Sequence, residues 1–205
     1  MPTPRQGGFT LIEVLVAVVI MAIMSLMAWQ GVDGIVRARD ANQLRLEQTL
    51  RLETVVAQWE QDLASLQESS AVPALTCDGS TVRLTRRAEG GMQVVAWSLR
   101  PDTSQSMWQR WASPPVTTTT ALQEAWFRTQ QFQGGEPGQL KALSGLDQWQ
   151  VFFFVGNAWA NCQSTRDVTD ASKREAVPSG VRLVLAFAPG SGLSGNLVRD
   201  TVLAP

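Results

Sequence analysis

The sequence predicts an α+β fold: a long N-terminal membrane-spanning helix packed on a mostly antiparallel β-sheet domain. Three observations carry this reading. Val14 to Val32 is apolar apart from Ser25, Trp29, Gln30 and Gly31, close to the ~20 residues that cross a hydrocarbon core. Leu52, Val55, Val56, Trp59, Leu63 and Leu66 then recur at three- and four-residue steps, one stripe of an amphipathic helix. From Cys77 onward the apolar period falls to two, and turn residues separate the runs. A helix followed by a series of strands is the element pattern of an α+β domain, with the stripe covering one sheet face.

The elements follow in order. Gly31 and Gly34 mark the point where the first helix can bend, and the helix is expected to end near Ser69-Ser70, before Pro73. The stripe is expected to pack on the sheet, since the run lacks the sustained heptads of a coiled coil. Val82 and Leu84 alternate with Arg83 and Thr85, Glu89-Gly90-Gly91 reads as a turn, and Met92 to Leu99 returns with Val95, Trp97 and Leu99 on one face. Pro101 to Ser106 is a loop. Met107 to Ala112 is a short strand stopped by Pro114-Pro115, and Ala121 to Phe132 is ambiguous between strand and helix. After a loop at Gln133 to Gly138, Trp149 to Val155 is expected to be a strand buried on both faces, because Val151 to Val155 is apolar throughout. Gly156-Asn157 supports a turn into Ala158 to Cys162. Gln163 to Val177 is a polar loop. Val181 to Phe187 alternates, and Leu197 to Leu203 is the last strand.

Composition narrows the function. The net charge is -1 and there is no basic run, so no nucleic-acid footprint is visible. With no histidine, Ser-His-Asp and Cys-His catalysis and histidine metal sites are excluded. Lys141 and Lys173 are the sole lysines and neither lies in an S-x-x-K motif, so no catalytic residue is assigned and an enzyme is not expected. Asp78, Asp102, Asp167 and Asp170 match no EF-hand spacing, so neither a metal site nor a cofactor is assigned. Cys77 and Cys162 are not a C-x-x-C pair and are too few for structural zinc; a disulfide between them is allowed in an oxidising compartment, and two separate buried thiols are the alternative. Trp108, Trp111 and Trp126 are candidate exposed anchors for a partner, with the core as the other possibility.

The N-terminus is the most specific region. A short polar leader, Met1 to Gly8, meets the apolar run at Gly7-Gly8-Phe9-Thr10-Leu11-Ile12-Glu13. Glu13 is the only charge near the start of the apolar run, and no further charge appears until Asp33; a carboxylate in a membrane-length run is costly, roughly 2.5–3.5 kcal/mol at a helix centre. An ordinary secretory signal places small residues after its apolar run; here the glycines precede it.

This stretch resembles the class III signal of the type IV pilin and pseudopilin superfamily. Past the leader the chain resembles the J-type minor pseudopilins of type II secretion systems, on Trp59-Glu60-Gln61-Asp62-Leu63, Val95-Ala96-Trp97-Ser98-Leu99 before Trp108-Gln109-Arg110, Gly145-Leu146 before Trp149-Gln150-Val151, Asn157-Ala158-Trp159 and Val177-Pro178-Ser179-Gly180-Val181. The resemblance implies a pilin-like division: leader peptide 1–8, transmembrane helix 9–32, periplasmic helix extension 33–70 and periplasmic β-rich domain 71–205. It implies cleavage by a prepilin peptidase between Gly8 and Phe9, N-methylation of Phe9, and a role for Glu13 in assembly opposite a neighbour's amino terminus. It further implies a single-pass protein of the bacterial inner membrane, N-terminus cytoplasmic and C-terminal domain periplasmic. The implied work is that of a structural subunit at the tip of the pseudopilus, helping to initiate filament assembly and export of folded proteins across the outer membrane. The implied partners are I- and K-like minor pseudopilins, the major pseudopilin and secreted substrates. A W-like minor pilin of type IV pilus assembly shares the architecture and is the alternative.

Overall fold

A computed structural model of the chain describes residues 8–101, 106–132, 135–163 and 177–203. It divides into two units, Met1–Glu47 and Gln48–Pro205. Helix α1, Leu11–Ala64, contributes to both. In the first unit the helix passes through Gly31 and Gly34 without a break in its helical assignment. Its apolar side chains there, from Leu11 to Val36, are exposed. The helix is long and apolar enough to cross a membrane.

The second unit is an antiparallel sheet with helical cover on each face. Its strands are β1 (Leu75–Cys77), β2 (Thr81–Ala88), β3 (Gly91–Pro101), β4 (Ser106–Ala112), β5 (Gln139–Val155), β6 (Ala158–Asn161), β7 (Gly180–Phe187) and β8 (Asn196–Val202), with helix α2 (Thr119–Gln130) between β4 and β5. The order is β1-β2-β3-β4-β5-β7-β8, and β6 pairs with β5. Every ladder is antiparallel. The β2–β3 hairpin turns at Glu89-Gly90, with Ala88 opposite Gly91. At Gly91, φ is +148° and a Cβ would collide with the Val116 carbonyl oxygen, so a side chain there would displace backbone.

The period-two pattern sorts side chains between two cores. Val82, Leu84, Val95, Trp97, Trp108, Val151, Phe153, Val181, Leu183 and Leu185 share one cluster with Trp59 and Leu63 of α1. Val94 and Trp111, on the alternate positions, join Val72 and Leu122 and Trp126 of α2. The α1 stripe is therefore sheet cover, as its spacing predicts. Four tryptophans form the middle of the first core: Trp59 lies 5.7, 5.8 and 6.3 Å by ring centroid from Trp97, Trp108 and Trp149. Aromatic pairs at such separations add roughly 0.5–1.5 kcal/mol beyond area burial.

Several expectations need correction. Helix α1 ends at Ala64 rather than near Ser69-Ser70. The chain leaves the helix because β2 offers unpaired backbone: Arg87 N–H donates to Ser65 O, Gln67 N–H donates to Thr85 O, and Leu66 bridges Arg86. The ambiguous stretch is helical, starting two residues earlier at Thr119. Thr118 caps it by accepting from the Ala121 amide, and Leu122, Trp126 and Thr129 fall on one buried face. Strand β5 begins at Gln139, ten residues before Trp149. Its C-terminal part is not buried on both faces: Val151 and Phe153 are buried, Phe152 and Phe154 are half-buried and Val155 is exposed. The outward Phe154 instead stacks on Trp159 of β6 at 5.1 Å. Most of the Gln163 to Val177 loop, with Asp167 and Asp170, lies outside the described residues, as does Asp102.

Candidate functional site: the N-terminal helix cap and the buried Asp62 knot

Phe9 is 90 % exposed and lies two residues before the start of α1. At Gly8 a Cβ would meet nothing within 4 Å among the described residues. The described chain itself does not require glycine there, so any demand for it must come from a molecule that acts on the bond. Glu13 is held by its own helix start. Its Oε2 accepts from the Thr10 amide at 2.9 Å and from the Thr10 hydroxyl at 2.8 Å, while the Glu13 amide donates to Thr10 Oγ1 at 3.4 Å. This is a capping box, in which a threonine at the N-cap and a glutamate at N3 satisfy each other's donors. Thr10 was not anticipated as a partner, although the Thr-x-x-Glu spacing carries the signal. The cap also puts a negative charge at the positive end of the helix dipole.

Cys77 ends β1 and Cys162 follows β6; both are buried in the first core, bonded to each other with Cα atoms 5.7 Å apart. The link joins positions 85 residues apart.

A second cluster, centred on Asp62, was not foreseen. Asp62 is 0 % exposed on the stripe of α1. Its Oδ1 accepts from Gln58 Nε2 (3.0 Å), Arg86 Nη1 (2.9 Å) and Arg110 Nη2 (2.9 Å). Its Oδ2 accepts from Trp97 Nε1 and Arg110 Nε, both at 2.8 Å. One carboxylate thus joins α1 to β2, β3 and β4. Arg86 also donates to Gln93 Oε1 (2.9 Å), and Gln93 Nε2 donates to the Ser113 carbonyl (2.5 Å). Arg110 lies 5.9 Å from the centre of the Trp97 ring. A buried carboxylate is tolerable only when paired and hydrogen-bonded, and here a bidentate arginine and a second guanidinium meet that condition.

Two further ion pairs lie on the alternate face. Arg83 Nη1 donates to Asp78 Oδ2 at 2.6 Å, and the same guanidinium reaches the Thr129 carbonyl in the last turn of α2. Burial pushes the Asp78 carboxyl up, but hydrogen bonds from Arg83 and Ser80, the Arg83 charge and the Thr81 amide outweigh it, leaving the carboxyl below the ordinary aspartate value. Arg182 forms a bidentate pair with Asp200 at 2.6 Å and lies 4.3 Å over the Trp159 ring. That hydrogen bond lowers the Asp200 pKa and raises that of Arg182.

The three candidate anchors are core residues: Trp108, Trp111 and Trp126 are 0 %, 3 % and 5 % exposed. Trp108 belongs to the tryptophan cluster under α1, and the other two pack between α2 and the sheet. Asp78, one of the aspartates considered for a metal, is occupied by Ser80, Thr81 and Arg83.

The family model of the prokaryotic N-terminal methylation motif matches residues 3–29. Type II secretion system protein J of Vibrio cholerae serotype O1 is 26 % identical over 179 residues, covering 76 % of this chain and 74 % of that protein. The methylation motif and the exposed apolar helix together fit anchoring in an inner membrane. The chain carries a prepilin-type N-terminal methylation motif and is similar, through most of its β-rich unit as well, to type II secretion system protein J.

Proposed function

We propose that this chain is a minor pseudopilin, a structural subunit at the tip of a type II secretion pseudopilus that helps initiate the filament. The observation that carries the reading is the likeness to protein J, which extends far past the leader that all such systems share. In this reading a prepilin peptidase cuts between Gly8 and Phe9 and methylates Phe9. The mature helix, 9–32, stays in the inner membrane with the domain in the periplasm, where Cys77 and Cys162 pair. Its partners are I- and K-like minor pseudopilins and the major pseudopilin, and the filament drives folded proteins through the outer membrane.

Glu13 then has two successive roles. In the membrane, Thr10 supplies its hydrogen bonds. On assembly, the amino terminus of a neighbouring subunit supplies an opposite charge, and attraction between such groups is strong where the dielectric is low. The exposed apolar side chains of Val14 to Met27 pack against other helices in the filament.

Deletion of the gene in its host, with complementation, tests the reading. Loss of exoprotein secretion with type IV pili intact is expected. Wild-type plasmid restores secretion, and E13A inserts but restores less than a tenth of it. Normal secretion in the deletion strain, with loss of pili, contradicts the reading and favours the W-like pilin.

A further inference from the structure

We infer that Asp62 is the pin that sets the axial register of α1 on the sheet. The apolar stripe cannot set it through apolarity alone. Leu52, Val55, Val56, Trp59 and Leu63 repeat at helical spacing, so a slide by one turn, ~5.4 Å, replaces one apolar side chain by another. Packed helices do shift by such steps when two arrangements are close in energy. Trp59 resists the slide by shape, because its ring is enclosed by Trp97, Trp108 and Trp149.

Asp62 resists it by charge. The carboxylate is fully buried and takes all five of its hydrogen bonds from fixed positions: Gln58 on its own helix, and Arg86, Trp97 and Arg110 on three adjacent strands. Trp97 and Arg110 are directly opposite one another in the β3–β4 ladder. The socket is therefore a feature of the sheet, and α1 supplies the ion that fills it. A slide of one turn would bring Gln58 or Leu66 to the socket. It would leave two guanidiniums without their carboxylate and carry Asp62 into apolar surroundings. Removing one partner from a buried ion pair is far more costly than the pair is stabilising, and fixing register is the best-attested use of a buried polar group among apolar ones. Arg51 acts in the same sense from the helix side, donating to the Lys141 and Ala142 carbonyls of β5 at 3.1 and 3.0 Å.

The pin has a use that rests on the proposed pseudopilin reading. Any pull on the chain before Gln48 reaches the sheet through this helix by covalent continuity. A slipping helix would dissipate that pull, whereas a pinned one transmits it.

Electron–electron spin distance measurement on the full-length chain in detergent micelles tests the inference. Nitroxides go on the exposed positions Gln61 and Leu140, through Q61C and L140C, with Cys77 and Cys162 left bonded. The wild-type background should give one narrow distance. D62L, which makes the stripe continuous while keeping Trp59, should add a second, resolved population, its distance shifted by up to about 5 Å, the length of one helical turn. D62N should broaden the distribution in the same direction. A D62L protein that melts lower but keeps the single distance overturns the inference, since Trp59 alone would then set the register. Should D62L not fold, an unbroadened D62N distribution overturns it equally. The measurement needs no filament, so failure of the pseudopilin reading leaves its outcome unaffected.

Discussion

At the scale of single residues, Gly8 and Glu13 illustrate two different kinds of demand. Glu13 has a partner within the chain, the Thr10 cap. Gly8 has none among the described residues, where a side chain would meet nothing within 4 Å. G8W should therefore fold and insert as wild type does, yet accumulate as uncleaved precursor when co-expressed with a prepilin peptidase; intact-mass measurement reads the difference, and a mature-length product would count against cleavage at this bond. Asp78 supplies a pH dependence. Its folded pKa is lowered, so its contribution to stability is fully present above the unfolded value, ~3.9, and disappears as pH falls through the lower folded value. D78N should cost about 1–2 kcal/mol at pH 7, since it removes a charge-assisted hydrogen bond to Arg83. In urea titrations the gap between D78N and wild type should close only below pH 4. A gap that stays constant into that range would mean that the Arg83 pair contributes nothing.

At the scale of elements, the runs with unbroken periods were readable and the interrupted ones were not. Helix α1 and the β2–β3 hairpin follow from a continuous apolar stripe and from Glu89-Gly90 between alternating runs. The first half of β5 did not, because its ladder is broken between Trp108 and Gln109 and again between Leu146 and Gln148, and Gly145 sits at φ +80°. Irregularities of this kind shift the inward positions by one and erase the alternation. The Thr10–Glu13 cap is readable from its Thr-x-x-Glu spacing, which the cost of a carboxylate in an apolar run overshadows. The Asp62 knot was out of reach, since Asp62, Arg86, Trp97 and Arg110 are brought together only by the sheet register and the helix docked on it. Tryptophan frequency leaves core and interface equally open for a related reason: the same side chain suits both, and only strand parity, or for Trp126 the buried face of α2, decides. Trp59 is the sharpest test of the α1 packing. W59A removes the centre of the aromatic cluster and should destabilise the domain by about 3–5 kcal/mol in chemical denaturation, with loss of much of the near-ultraviolet circular dichroism. A cost below 1 kcal/mol would mean that the helix is not docked through this residue.

At the scale of the whole molecule, two units meet two environments. The apolar surface of α1 from Leu11 to Val36 has no cover among the described residues, and it is suited to cover by lipid or by other helices. The β-rich unit has its own cores on both sheet faces and a disulfide suited to an oxidising compartment. The arrangement suits the proposed subunit that waits in a membrane and later joins a filament, and the likeness to protein J is the ground for proposing a type II secretion filament. Affinity purification of the tagged full-length chain from its native host, after mild crosslinking, tests that selection most directly. Co-recovery of I- and K-like minor pseudopilins, identified by mass spectrometry and absent from an untagged control, is the expected result. Recovery of type IV pilus minor pilins in their place would contradict it and move the protein from secretion to pilus assembly.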